Sequence, residues 1–219
     1  MTTKTVGLSD ELQGYLLDHS SSPDALLRDL IEETREHYAD RTNLQIAPEQ
    51  GGLLTLLTRL AGARTAVEVG TFTGYSAICI ARGLAPGGRL TCCDNSEEYT
   101  AVARRYWQRA GLDDVIDLRL GDAHETVSRL PHDPPVDLAF VDADKGGYHA
   151  YYEELLARLS PHGMIIVDNV LWSGRVLDSE PSGDTATLVD FNARVAADER
   201  VEVLMLPVGD GLSLITRAG

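Results

Sequence analysis

From residue 65 onward, short runs rich in β-branched and other apolar residues alternate with stretches whose apolar positions recur every three to four residues. Side chains alternate across a strand with a period of two and return to one face of a helix every 3.6 residues. The pattern therefore predicts strands at 65–69, 89–94, 116–120, 136–142, 163–168, 201–206 and 212–217, with helices between them. One helical stripe runs through Tyr99, Val102, Ala103, Tyr106 and Ala110, and another through Tyr148, Tyr151, Tyr152, Leu155, Leu156 and Leu159. Both read as core-facing, so these tyrosines need no ligand to explain them. Strands alternating with helices predict a parallel sheet covered on both faces. The last two strands are joined only by Pro207 to Gly211, ending in an Asp-Gly pair. That is too short for a parallel crossover and predicts an antiparallel hairpin.

Residues 1–60 carry helical periodicity and no strand, with Leu27, Leu30, Ile31 and Tyr38 on one face of the longest helix. They are expected to form a helical cap over the site or the sheet edge. No internal repeat, low-complexity tract or linker divides the chain, so 1–219 is expected to be one domain. The expected fold class is α/β: a Rossmann-like, doubly wound, seven-stranded sheet with an antiparallel C-terminal hairpin.

Composition narrows the function classes. A chain of 219 residues is long enough for one well-packed core, and 43% hydrophobic with 24% charged residues is ordinary for a soluble protein. No apolar run approaches the ~18 residues needed to cross a bilayer. The opening MTTKTVGLSDELQGYLLDHS lacks the basic-then-apolar pattern of a signal peptide, so a cytoplasmic protein is expected. A formal net charge of −15 repels phosphate backbones and anionic lipid, which argues against nucleic-acid or membrane partners. Cys79, Cys92 and Cys93 fall inside a predicted helix and strand and have neither disulfide nor zinc spacing.

Three turns carry candidate chemistry. The segment TAVEVGTFTGYSAICIA leads from a buried strand through Glu68, Gly70 and Gly74 into a helix. Glycines at such a turn let backbone N–H groups approach a ligand. The G-x-G-x-x-G spacing of a nicotinamide site is missing, and with it the tight pyrophosphate turn. S-adenosylmethionine has no pyrophosphate; it needs acidic groups near its amine and sulfonium and an acceptor for its ribose. Asp94, ending the second strand, supplies that acceptor. After the third strand, Asp122 or the backbone of Ala123 is placed to reach the adenine amine. The alternative is a nicotinamide-dependent oxidoreductase, which shares the strand, glycine turn and acidic residue, but the Gly70–Gly74 spacing argues against it.

The fourth strand ends in Val141-Asp142-Ala143-Asp144-Lys145 and the fifth in Val167-Asp168-Asn169. Neighbouring parallel strands lie ~4.8 Å apart, so Asp142, Asp168 and Asn169 are expected to converge at one sheet edge. Two carboxylates and an amide oxygen are hard donors suited to Mg²⁺ or another divalent cation, and leave positions open for a substrate with two adjacent oxygens.

These residues resemble the small cation-dependent O-methyltransferase family that includes catechol and caffeoyl-CoA O-methyltransferases. The likeness runs from about residue 44 to the end and is most specific in EVGTFTGYS at 68–76, FVDADK at 140–145 and VDNVLWSG at 167–174. LRDLIEET at 27–34 and RRYWQRAG at 104–111 further resemble the bacterial branch that tailors catechol-bearing antibiotic precursors. The resemblance implies a class I S-adenosylmethionine-dependent methyltransferase, usually a homodimer. It makes Asp142, Asp168 and Asn169 the metal ligands and Lys145, beside Asp142, the general base. It also assigns cofactor contacts to Glu68, Gly70, Ser76, Asp94, Ala123 and Asp144. Ile46 stands where plant members carry Ser or Thr, and Ser173 where they carry Asn near the substrate. Both departures point away from a CoA thioester and toward a small aromatic acceptor, with Trp172 as a wall of its pocket beside Ser173.

Overall fold

The computed structural model describes residues 7–219; residues 1–6, where the expected 1–60 cap and the chain's polar opening begin, lie outside the described residues. Seven strands form one sheet: β1 (Thr65–Val69), β2 (Arg89–Asp94), β3 (Ile116–Leu120), β4 (Val136–Val141), β5 (Leu159–Val167), β6 (Val201–Leu206) and β7 (Leu212–Arg217). Their order is β3-β2-β1-β4-β5-β7-β6. The first five run parallel, while β7 is antiparallel to both β5 and β6, as the short 207–211 connection requires.

Two strand boundaries differ from expectation. β4 and β5 end at Val141 and Val167, one residue earlier than predicted, so Asp142 and Asp168 stand just past the sheet. β5 starts at Leu159, which the helical stripe had included. The β4–β5 pair shifts register there, Val136 facing Leu159 but Leu138 facing Met164, and the polar and turn-forming residues 160–163 take up the difference.

Helices α1 (Asp10–Asp18), α2 (Ala25–His37), α3 (Pro48–Leu60), α4 (Tyr75–Gly83), α5 (Glu97–Arg109), α6 (Ala123–Ser128), α7 (Tyr148–Arg158) and α8 (Gly183–Ala196) complete the chain. Strand alternation divides the core in two. Ala66, Leu90, Leu138, Phe140 and Ile166 face α2 to α5, where Leu30, Leu54 and Ile78 are buried. Val67, Val69, Ala139, Val141 and Ile165 face α6 to α8, where Val127, Leu155 and Phe191 are buried. The central strands β1 and β4 and the end of β5 thus read as near-continuous apolar runs because both faces are covered. The N-terminal segment does more than cap an edge: Leu27 and Leu30 of α2 and Leu54 of α3 belong to the first core. Caps locate the helices: Asp24 accepts from Leu27 N–H at 3.0 Å, and Ser96 from Tyr99 N–H at 3.2 Å with Glu97 and Glu98 following in the first turn. No helix among the described residues is long and apolar enough to cross a membrane.

Candidate active site

Strand order reverses between β1 and β4, and a cavity of about 1260 Å³ opens there beyond the carboxyl ends of the strands. Single small ligands occupy pockets of ~300–1,000 Å³, so this one has room for a donor and an acceptor together.

One wall is the β1–α4 turn. Gly70 (φ 91°), Phe72 (φ 51°) and Gly74 (φ 86°) all adopt left-handed backbone. The glycines make room for neighbouring protein, and Gly70, with Thr71 and Phe72, also lines the cavity. A Cβ on Gly70 would collide with the Asp142 carbonyl of the adjacent strand end, and one on Gly74 would lie 2.7 Å from Ala103 Cβ and Trp107 Nε1 of α5. The turn's N–H groups are likewise engaged: Gly70 donates to Cys93 O at 2.9 Å, and Thr71 and Phe72 both donate to Asp94 Oδ2 at 2.9 Å. Asp94 Oδ1 accepts from Ser96 N–H at 2.8 Å. Asp94 thus clamps the turn and starts α5, and one lone pair on Oδ1 remains for a ligand hydroxyl.

Glu68 does not line this cavity. It is fully buried beneath the turn, where its Oε2 accepts from Thr71 Oγ1 at 3.0 Å and Cys92 Sγ at 3.3 Å while Oε1 has no partner. Burial pushes its carboxyl up to about 7, against the pull of the nearby Ser76, Cys92 and Thr71 side chains. Ser76 itself reaches the cavity wall, as do Asp122 and Ala123 on the far side. The Asp122 carboxylate caps α6 through Glu125 N–H at 2.8 Å, and Asp144 accepts from Tyr151 OH at 2.7 Å.

The other end holds the acidic cluster. Lys145 is buried, and its Nζ donates to Asn169 Oδ1 at 2.6 Å, Tyr148 OH at 2.7 Å and Ala143 O at 3.0 Å, with Asp142 Oδ1 at 3.5 Å. The ammonium thus contacts two of the three expected ligands. Asp168 lies just behind them: Oδ1 accepts from Asn169 N–H at 2.6 Å and Oδ2 from Gln50 Nε2 at 2.7 Å. Burial raises both carboxyls above the ordinary range; Lys145 counters this at Asp142, whereas the Asp142 charge reinforces it at Asp168. Among the described residues no group of three or more His, Cys, Asp or Glu converges. Any cation here would depend on the Asn169 amide as well as the two carboxylates.

Asn169 (φ 59°), Trp172 (φ 48°) and Ser173 (φ 51°) are left-handed, a costly backbone for a bulky residue such as Trp and one that clusters at functional sites. The hairpin turn holds this loop in place: Leu171 N–H donates to Asp210 O at 3.0 Å, Val170 N–H to Gly211 O at 3.1 Å, and Ser173 N–H to the Asp210 carboxylate. Trp172 and Ser173 line the cavity, and the Lys145 ammonium lies 5.6 Å from the Trp172 ring centre. Ile46 instead packs against the first core.

Sequence reasoning missed Gln50, Tyr148 and Asp210. Gln50 shares a buried stripe with Leu54 and Thr58, and a glutamine at that spacing was the available signal. Tyr148 was assigned to core alone, although it follows Lys145 by three residues and its hydroxyl also donates to Asp168 O at 3.1 Å. Nothing local marks Asp210.

A family model for O-methyltransferases matches residues 17–218, extending further toward the start than the motifs read from the sequence. The mouse catechol O-methyltransferase domain-containing protein 1 is 39% identical over 204 residues, 91% of this chain and 77% of that protein. A caffeoyl-CoA O-methyltransferase of Populus kitakamiensis is 31% identical over 229 residues, covering 99% of this chain and 97% of its own. Among solved structures, the O-methyltransferase TomG from Streptomyces achromogenes, involved in tomaymycin synthesis and solved with S-adenosylmethionine, superposes with a TM-score of 0.85 at 29% identity over 95% of this chain and 96% of its own.

Proposed function

The chain belongs to the O-methyltransferase family and is an S-adenosylmethionine-dependent enzyme, and from that premise we propose that it methylates one hydroxyl of a small catechol-type aromatic held by a divalent cation. The observation that carries this reading is the single cavity bounded at one end by the Asp94-clamped turn and at the other by Lys145, Asp142 and Asn169. Nothing among the relatives or structural neighbours supports a nicotinamide-dependent oxidoreductase.

The donor set fits a hard cation: Asp142, Asp168 and Asn169 offer oxygen donors, the Asp142 carboxylate beside Lys145 and the buried Asp168 carboxylate behind it. A cation held there would supply a positive field that eases loss of a proton from the acceptor hydroxyl. The remaining work falls to the chain. Asp94, Ser76, Asp122, Ala123 and Asp144 bind and orient the donor, with Glu68 supporting the turn from beneath. Lys145 Nζ, in its neutral amine form, takes the acceptor's proton, and Tyr148 OH and Ala143 O fix where that nitrogen points. Trp172 presents a flat apolar wall to an aromatic ring, with Ser173 at its edge. The donor's methyl is already activated by the sulfonium, so positioning two reactants in one cavity supplies most of the acceleration.

We extend the reading to a homodimer in the cytoplasm serving secondary metabolism. The outer edge strand β6 exposes Val203, Leu204 and Met205 as an apolar strip suited to a second copy. Three free, buried cysteines suit a reducing compartment, and the likeness to a neighbour involved in tomaymycin synthesis, with the motifs at 27–34 and 104–111, supports a role in antibiotic biosynthesis.

The test separates the two ends of the cavity. Asp168→Ala should abolish turnover while the dissociation constant for S-adenosylmethionine, measured by calorimetry, stays within about threefold, because its carboxylate serves the acceptor end. A comparable loss of donor affinity would move Asp168 to the wrong end.

A further inference from the structure

The orientation of the Asp168 carboxylate is set by a residue far away in the chain. Gln50, on α3, is 2% exposed, and its Nε2 donates to Asp168 Oδ2 at 2.7 Å. Asp168 Oδ1 is taken by the Asn169 N–H at 2.6 Å. Each carboxylate oxygen offers about two lone-pair sites, so one on each remains, and the two hydrogen bonds together decide where those sites face.

The other end of the Gln50 amide is also confined. Its Oε1 lies against Gly209 of the β6–β7 turn, where a Cβ would sit only 2.6 Å away. Gly209 lines the cavity, and its neighbour Asp210 anchors the Trp172–Ser173 loop. A single buried amide therefore links α3 to the Asp168 carboxylate by a hydrogen bond and packs against the hairpin turn. A glutamine on the stripe of Leu54 and Thr58 would otherwise be an unfavourable choice, because a buried amide without a partner is penalised and an apolar residue would pack there without that penalty.

We propose that Gln50 is a positioning residue for the acidic cluster: its hydrogen bond holds the Asp168 carboxylate in the orientation that a divalent cation between Asp142, Asp168 and Asn169 requires. The inference rests on the cation reading of that cluster. Partners that orient a ligating carboxylate typically carry 10–100-fold in metal affinity.

The probe is Mn²⁺, titrated into the full chain and followed by electron paramagnetic resonance, with donor affinity measured by calorimetry and folding by circular dichroism. Gln50→Met keeps an unbranched side chain of similar length and removes the donor. It should weaken Mn²⁺ binding by roughly 10–100-fold while leaving S-adenosylmethionine affinity unchanged. Gly209→Ala keeps the glutamine but crowds its Oε1, and should weaken Mn²⁺ binding in the same direction; it decides the matter if Gln50→Met does not fold. Unchanged Mn²⁺ affinity in a folded Gln50→Met, or in Gly209→Ala in its place, overturns the inference and leaves the cation reading standing. Parental protein that binds no Mn²⁺, or binding that survives Asp168→Ala, removes both.

Discussion

In the proposed mechanism, Lys145 is where the chemistry of the cavity concentrates. Its Nζ is held by Asn169 Oδ1, Tyr148 OH and Ala143 O, so the nitrogen is aimed before any substrate arrives. A base needs a nitrogen that can release and regain a proton, and arginine keeps its charge throughout the working range. Lys145→Arg should therefore lower turnover by ~10²–10⁴, the usual weight of a positioned general base, with a much smaller effect on donor affinity. If Lys145 supplied only positive charge, arginine would keep most of the rate that alanine loses, and a pH–rate profile of both variants separates the outcomes. At this scale the sequence showed which candidate residues cluster wherever they sit in a contiguous motif. Asp142, Asp144 and Lys145 stand together after β4, and Asp168 and Asn169 together after β5. Gln50 and Asp210 act from α3 and the hairpin turn, and no local pattern joins them to the residues they hold.

Among the elements, the β1–α4 turn lines the cavity and is at the same time packed tightly against protein. Its glycines make room for β4 and α5, and its N–H groups are held by Cys93 O and Asp94. The glycine spacing in the sequence marked the turn correctly, but spacing alone does not say whether a glycine makes room for ligand or for protein. Beneath the turn, Glu68 contributes a pH dependence of its own. Its carboxyl is raised from 4.5 to about 7 by burial. The folded state thus keeps a proton that the unfolded chain releases, which stabilises the fold at low pH; that contribution is lost as pH rises from the unfolded value through about 7. Between pH 5 and 8 the parental unfolding free energy should fall by roughly 2–3 kcal/mol more than that of Glu68→Gln, at ~1.4 kcal/mol per pH unit. Denaturant titrations at both pH values measure the difference. Equal slopes in the two proteins would mean that Glu68 is ionised in the fold throughout.

For the whole molecule, the alternation of strand-like and helical segments predicted all seven strands, most clearly in the centre, where β1, β4 and the end of β5 are buried on both faces. The hairpin followed from a connection too short for any other topology. How the N-terminal helices sit was less legible, since an apolar stripe says that a face is buried but not against what; α2 and α3 complete the first core, and α3 also reaches Asp168. The consequence of this assembly is a cavity at the β1–β4 boundary, with the proposed donor and acceptor ends on its two sides. The central claim, that the acceptor end grips two adjacent oxygens through a cation, is tested most directly by methyl transfer to catechols and matched monophenols, with metal removed by chelation and then restored with Mg²⁺. Transfer to catechols that is lost on chelation and returns with Mg²⁺, with monophenols poor throughout, is the predicted result; full activity in excess chelator, or equal rates on monophenols, would contradict it.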